Sequence, residues 1–385
     1  MNRVNTFVNK RRIFFIGLGI VTGLATFGVI RILSLPSATQ DRAAPPIPQE
    51  EVNATISALK PSKRERPLVA IIGINDATET TDYLMPYGIL RRADVADVVA
   101  LSTGPGPVTL YPALRVEPDA TIADFDRQYP EGADYVIVPA MSRDDDHVAL
   151  EWIRSQANKG ATIIGVCAGA KVVAEAGLLD GKRATTHWYY LKDMLDRHPS
   201  IQYVADRRLV AYQSVVTTTG ISASMPMTLT LIEAIAGREK AESVARDLGV
   251  EHWDTSHNSA AFKMTRPFAL TVLGNVLAFW NREQLGIELS PGMDEVSLAL
   301  AADAWSRTYR SRALTFSGSD EVVTTQNGVR ILPDRVATSW PDERVIPVGE
   351  LPPVQVFDDT LQAIEERYGT YTAYVVAMQH EYPKE

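Results

Sequence analysis

The segment at 161–177, ATIIGVCAGAKVVAEAG, admits few folds. A β-branched apolar run ends at Val166 and an alanine-rich helical pattern starts by Ala168, with Cys167 alone between them. Gly165 and Gly169 flank the cysteine at i−2 and i+2 and leave room for a sharp strand-to-helix turn. On such a turn the following amides and the helix dipole favour negative charge, which predicts a thiol of lowered pKa. Cys167 is the only cysteine in 385 residues, which excludes an intrachain disulfide and any cysteine-based zinc cluster. The competing reading is a small buried hydrophobe between two glycines. The strand-Gly-x-Cys-x-Gly-helix order favours the reactive thiol.

The surroundings fit such a turn. A continuous apolar run at 67–74 has the character of a strand buried on both faces, 133–140 reads as another buried strand, and 95–101 and 161–166 read as further strands. Helical patterns at 82–92 and 147–160 separate them, the second closed by Gly160, and residues 107–119 alternate as a short β-excursion. Strands alternating with helices predict a flavodoxin-like α/β fold, a parallel sheet with helices on both faces. The back half repeats part of this pattern. Residues 95–119 align without gaps on 310–334, an offset of 215, and 231–248 align on 363–379, an offset of 132. The second copy is therefore a truncated repeat at 251–385 that has lost the stretch holding the cysteine turn.

Residues 13–30, IFFIGLGIVTGLATFGVI, carry no charge. Continued to Leu33 they predict a helix of about 30 Å, the thickness of a bilayer's hydrocarbon core. Arg3, Lys10, Arg11 and Arg12 precede it, which places residues 1–12 in the cytoplasm and the globular part outside, periplasmic or extracellular. A cleaved signal peptide is the competing reading, although the run is long for one. Gly19-x-x-x-Gly23 is a weak signal of helix pairing. Residues 34–66, with five prolines and many charges, are expected to be a linker. The net charge of −9 and the lack of a basic patch in the globular part argue against a nucleic-acid partner.

The segment GVCAGAKVVAEAGLLDGKRATTHW at 165–188 resembles the cysteine-elbow segment of the ThiJ/PfpI family, in the class I glutamine amidotransferase-like superfamily. The resemblance covers about 67–250 and is closest to the branch holding isocyanide hydratases and the sensor domains of AraC-type regulators; no DNA-binding tail follows here. ETTDYLMPYGIL at 79–90 is similar to the family's first helix, where an acidic residue four before a proline contacts the nucleophile: Asp82 and Pro86. YVIVPA at 135–140 takes the place of a strand ending in Pro-Gly-Gly that supplies oxyanion amides. The resemblance implies Cys167 as nucleophile, Asp82 as the carboxyl that shuttles its proton, and His187 as a polarising neighbour. Ala168 and Ala140 would offer amides, and Glu79 is a rival for the carboxyl role.

Each has a plainer reading: Asp82 as a helix N-cap, His187 as a structural histidine. The motif departs from the family at Ala168, where hydratase-like members carry threonine, at Pro139-Ala140-Met141, at Met85 before the proline, and at Gly88. EHWDTSH at 251–257 lacks a third metal ligand, RDDDH at 143–147 suits a solvated helix start, and no cofactor is expected. Two functions follow. One is a cysteine-dependent hydratase or hydrolase acting on a small electrophile. The other is a non-catalytic sensing or scaffold module for a small-molecule ligand. Family members commonly dimerise, which makes a homodimer the expected partner state.

Overall fold

The structure is a computed structural model that describes residues 28, 30–39 and 43–382. The expected membrane segment at 13–33 lies almost wholly outside them; among the described residues no helix is long and apolar enough to cross a membrane.

Seven strands form the main sheet, in the order Leu209–Tyr212, Val215–Thr218, Thr162–Gly165, Tyr135–Val138, Leu68–Gly73, Asp97–Ser102 and Ala120–Thr121. All neighbours run parallel except the edge pair Leu209–Tyr212 and Val215–Thr218. This is the flavodoxin-like α/β fold expected, and its central strands are buried along their whole length, which is why they carry no polar alternation. Helices Ile122–Gln128, His147–Asn158 and Gly169–Glu175 border the core on one face, and helices Thr80–Ala93 and Ser224–Ala236 that on the other. Asp146 caps His147–Asn158 by accepting from Ala149 N–H, and Gly160 follows the helix at φ 82°. Asp144 is not simply solvated as expected, since it pairs with Lys171 and Arg197.

Residues 34–66 are not a free linker throughout. Gln49–Ala58 forms a helix docked on the first unit, where Glu51 pairs with Arg207 at 2.6 Å. Leu59 after it is buried and its carbonyl accepts from Tyr135 Oη at 2.5 Å.

The back half repeats the first unit in miniature. Parallel strands Glu283–Glu288, Ser311–Ser317 and Arg335–Val336 match the half-sheet Leu68–Gly73, Asp97–Ser102 and Ala120–Thr121. Helix Glu295–Ser306 matches Thr80–Ala93, and helices Pro353–Tyr368 and Thr370–His380 match Ser224–Ala236 and Arg238–Leu248. The glycines joining the latter pairs share one conformation, φ 89° and ψ 166° at Gly237, φ 89° and ψ 158° at Gly369.

The halves meet about an approximate two-fold axis. Strand Arg115–Glu117 pairs antiparallel with Arg330–Ile331, and Val116 faces Ile331, its own counterpart at the 215-residue offset. Two ion pairs follow the same rule: Arg307 with Glu79 at 2.6 Å, and Arg92 with Asp294, in which each partner is again 215 residues from its counterpart. Helix Thr80–Ala93 packs on Glu295–Ser306, closely enough that a Cβ on Gly88 would stand 2.9 Å from Val296 Cγ2. Reciprocal contacts of this kind define an isologous dimer interface, here contained in one chain.

Candidate active site

Cys167 sits on the turn anticipated for it, at φ 56°, a left-handed conformation unusual for a side chain with a Cβ. Its N–H donates to Thr218 Oγ1 at 3.0 Å and its carbonyl accepts from Thr186 Oγ1 at 3.0 Å, so two threonines hold the strained residue in place. Gly169 is required: a Cβ there would lie 2.9 Å from the Pro139 carbonyl carbon. Gly165 is nearly as tight, with a Cβ 3.0 Å from Ala170 Cα.

The sulfur differs from expectation in its acidity. Cys167 is buried, and burial first, then the carboxyls of Asp82, Glu79 and Glu381, push its pKa well above the ordinary thiol range; the Ala168 amide pulls the other way and loses. The elbow therefore holds a protonated thiol rather than the thiolate predicted from the helix dipole alone.

Asp82 is fully buried. Its Oδ2 accepts from Ala140 N–H at 3.1 Å, and the Ser224 hydroxyl also favours its charged form. Burial pushes its pKa up to about 7 against the Ala140 hydrogen bond and the Arg307 charge, with Asp303 adding to the rise. Asp82 is not the N-cap. Helix Thr80–Ala93 starts two residues earlier, and Glu79 caps it: Glu79 Oε2 accepts from Asp82 N–H at 2.6 Å and Thr81 Oγ1 at 2.8 Å. Glu79 is also held well above the usual carboxyl range, by burial and by the Asp82 and Asp303 charges. Ala140 is thus a buttress on both sides, its N–H given to Asp82 and its carbonyl accepting from Glu79 N–H at 2.8 Å. Among the described residues no hydrogen bond joins Cys167 and Asp82, although each lies within the other's field.

Sequence reasoning missed Arg307. It comes from the end of helix Glu295–Ser306 in the back half and bridges Glu79 and Asp303, with 2.6 and 2.5 Å contacts. His380 Nε2 meets the same Asp303 oxygen at 2.8 Å. Burial works against ionisation of Asp303, but Arg307 and His380 hold its pKa down to about 2. On its outer side Arg307 lies 5.9 Å from the Tyr111 ring centre. Tyr190 lies within reach of the Cys167 and Arg307 charges and 5.1 Å from the Tyr189 ring.

His187 is near the elbow but fully engaged. Nε2 meets the Gln379 carbonyl at 2.9 Å and Nδ1 accepts from Tyr189 N–H at 3.1 Å, which fixes the neutral tautomer; burial lowers its pKa. Behind the turn lies a cavity of about 330 Å³, lined among others by Thr186, Trp188, Thr219, His257, Phe262 and Glu381. Glu381 accepts from Trp188 N–H at 2.8 Å and meets His257 at 3.2 Å; burial opposes its charge, but His257 and His187 bring its pKa to about 2. His257 is thus engaged by the Glu381 carboxyl, and among the described residues no group of His, Cys, Asp and Glu could hold a metal.

A parallel α/β sheet with a cysteine on a strained elbow and a buried carboxyl opposite defines the class of cysteine-elbow α/β proteins. The model of the DJ-1/PfpI family matches residues 69–234, and the chain belongs to that family. It is 34% identical over 171 residues to the isonitrile hydratase of Pseudomonas putida, covering 43% of this chain and 72% of the relative. It is 24% identical to Protein dj-1beta of Drosophila melanogaster over 48% of this chain and 97% of the relative. The HTH-type transcriptional regulator CdhR of Pseudomonas aeruginosa is 29% identical over 46% of this chain, which spans about half of that regulator's length. The crystal structure of Drosophila DJ-1beta aligns over 49% of this chain and all of its own at a TM-score of 0.44 and 24% identity.

Proposed function

We propose that the first unit adds water to a small electrophilic carbon of the kind an isonitrile presents, with Cys167 as nucleophile and Asp82 as the group that moves its proton. The observation that carries this is Asp82: a fully buried carboxyl whose pKa is raised to about 7, close enough to the elbow for its charge to act on a thiol that keeps its proton. As Sγ bonds to the isonitrile carbon, its proton passes to Asp82 and on to that carbon, giving a thioimidate. Asp82 then takes a proton from water while the water oxygen bonds to the same carbon. The nitrogen is protonated, the C–S bond breaks, and an N-substituted formamide leaves with the thiol restored. The Ala168 amide steadies charge on sulfur, and Glu79, Ala140 and His187 hold the elbow and the carboxyl in position.

A ligand-sensing role is the second reading. It is favoured by the Ala140 N–H being committed to Asp82 and by a cavity whose lining does not include Cys167. Formamide production from a small isonitrile separates the two. Turnover should fall by about 10²-fold or more in Asp82→Asn and vanish in Cys167→Ala. Meanwhile iodoacetamide should label the Asp82→Asn thiol faster than wild type at pH 7, because the substitution removes a negative field from the sulfur. Binding of the isonitrile without product in wild type would give the site to sensing, and slower labelling of Asp82→Asn would remove the electrostatic account.

We also propose that the segment at 13–33, uncharged as far as Ile30, tethers the globular part to the outer side of a membrane, with residues 1–12 inside. The positive charges before the run support this orientation. A reporter fused after residue 385 should be active only outside, and activity inside would overturn the topology.

A further inference from the structure

Helix Arg266–Leu277 and the turn after it are inside out. Residues 267–281, PFALTVLGNVLAFWN, contain no charge. The outward face carries Leu270, Leu273 and Leu277 at helical spacing, and Phe279 and Trp280 follow at 67% and 71% exposure. The polar residue points inward: Asn275 is buried and its Nδ2 donates to the Thr308 carbonyl at 3.0 Å and Thr372 Oγ1 at 3.1 Å. A helix facing water would carry the reverse pattern. Isolated exposed leucines are ordinary, but a continuous apolar face ending in two aromatics is an interaction surface.

The chain itself indicates what covers that face. The apolar segment from Ile13, uncharged to Ile30, reaches Leu33, and the residues from Leu33 to Pro36 are tied to the start of this helix. Arg266 N–H donates to the Pro36 carbonyl at 2.8 Å, and Arg266 Nη2 donates to the carbonyls of Leu33 at 2.7 Å and Leu35 at 3.3 Å. A bilayer crossed by that run lies against residues 266–280, which sit at its point of exit. Arg31 and Arg282, next to the apolar stretches, are exposed and free to meet lipid phosphates, and tryptophan beside phenylalanine suits the boundary between headgroup and acyl chain.

We infer that Arg266–Leu277, with Phe279 and Trp280, is a membrane-surface helix that lies in the outer leaflet beside the anchor and fixes the orientation of the globular part. This rests on the membrane-tether reading. The test uses the full chain in vesicles of phosphatidylcholine and phosphatidylglycerol, with a series of lipids brominated at shallow or deep acyl positions, and compares wild type with Trp280→Phe. The expected result is a chain that floats with the vesicles and loses tryptophan emission to shallow bromines, a loss that Trp280→Phe lacks. A chain that floats but is quenched equally in both forms keeps its tether and overturns the surface helix. Trp280 emission that is blue-shifted yet unquenched also overturns it, and gives the face to a second copy or to residues 13–27. A chain that does not float removes the tether and the surface helix together.

Discussion

At the scale of single residues the site is a contest between burial and charge. Peptide dipoles converge on Cys167, yet desolvation and three nearby carboxyls outweigh them, and the thiol stays protonated. Asp82 is the group whose state changes in the neutral range. Its acidity moves from an ordinary 3.8 to about 7 on folding, so the folded state binds the Asp82 proton more tightly than the unfolded chain does. Its contribution is full below the unfolded value and is lost as pH rises through about 7, a difference on the order of a few kcal/mol. Asp82→Asn keeps the shape and removes the charge. It should leave the melting temperature little changed at pH 4 and raise it at pH 8, as measured by thermal unfolding across that range. An equal shift at both pH values would mean that Asp82 is not ionising in the folded protein. If Asp82 moves the proton in turnover, kcat/KM should rise with pH through the same window.

At the scale of elements the crossing of helices Thr80–Ala93 and Glu295–Ser306 sets the electrostatics. Each helix begins with a capping carboxylate, Glu79 or Asp294, and each ends near an arginine that reaches the other's cap. Arg307 is the buried member beside the thiol, and Arg307→Met would leave Glu79 and Asp303 without their cation, at a cost of about 3–5 kcal/mol. Because Arg307 lowers the pKa of Asp82, its loss should also move the pH profile of turnover upward; Glu79→Gln added to Arg307→Met should recover part of the stability. Denaturant unfolding and pH–rate profiles check both. Additive losses in the double variant would show that the two side chains are not coupled. Much of this architecture was legible in the residues: the two glycines and the β-branched run specify the elbow, and the aligned Val-Thr, Arg and Pro-Asp positions specify the repeat. The Glu79–Arg307 contact was not, since its partners stand 228 residues apart and no local pattern marks a pair made by two helices crossing. The thiol's acidity was misjudged for a related reason, because sequence displays the helix dipole but not the depth of burial that opposes it.

At the scale of the molecule the chain is a pair of units with one cysteine elbow. The back half lacks the elbow but keeps the strands and helices that face the axis, and through Arg307 and Glu381 it supplies charges to a site it does not itself possess. An interface held within one chain is present at any concentration, whereas a separate subunit would leave Glu79 and Asp82 without Arg307 on dilution. The contacts between the halves are buried and largely apolar, with Tyr83, Leu84 and Met85 in one core with Val296, Leu300 and Trp305. Cutting the chain after Gly249 should therefore yield two parts that need each other. Residues 43–249 and 250–385 made together should purify as a 1:1 complex by light scattering, with Cys167 alkylated no faster than in the intact chain. Charge reversal at Arg307→Glu in the second part should separate them or expose the thiol, whereas the same reversal at exposed Arg312 should not. Two parts that fold and elute independently, with the thiol labelling unchanged, would mean that the back half is an appendage and that the site is complete without it.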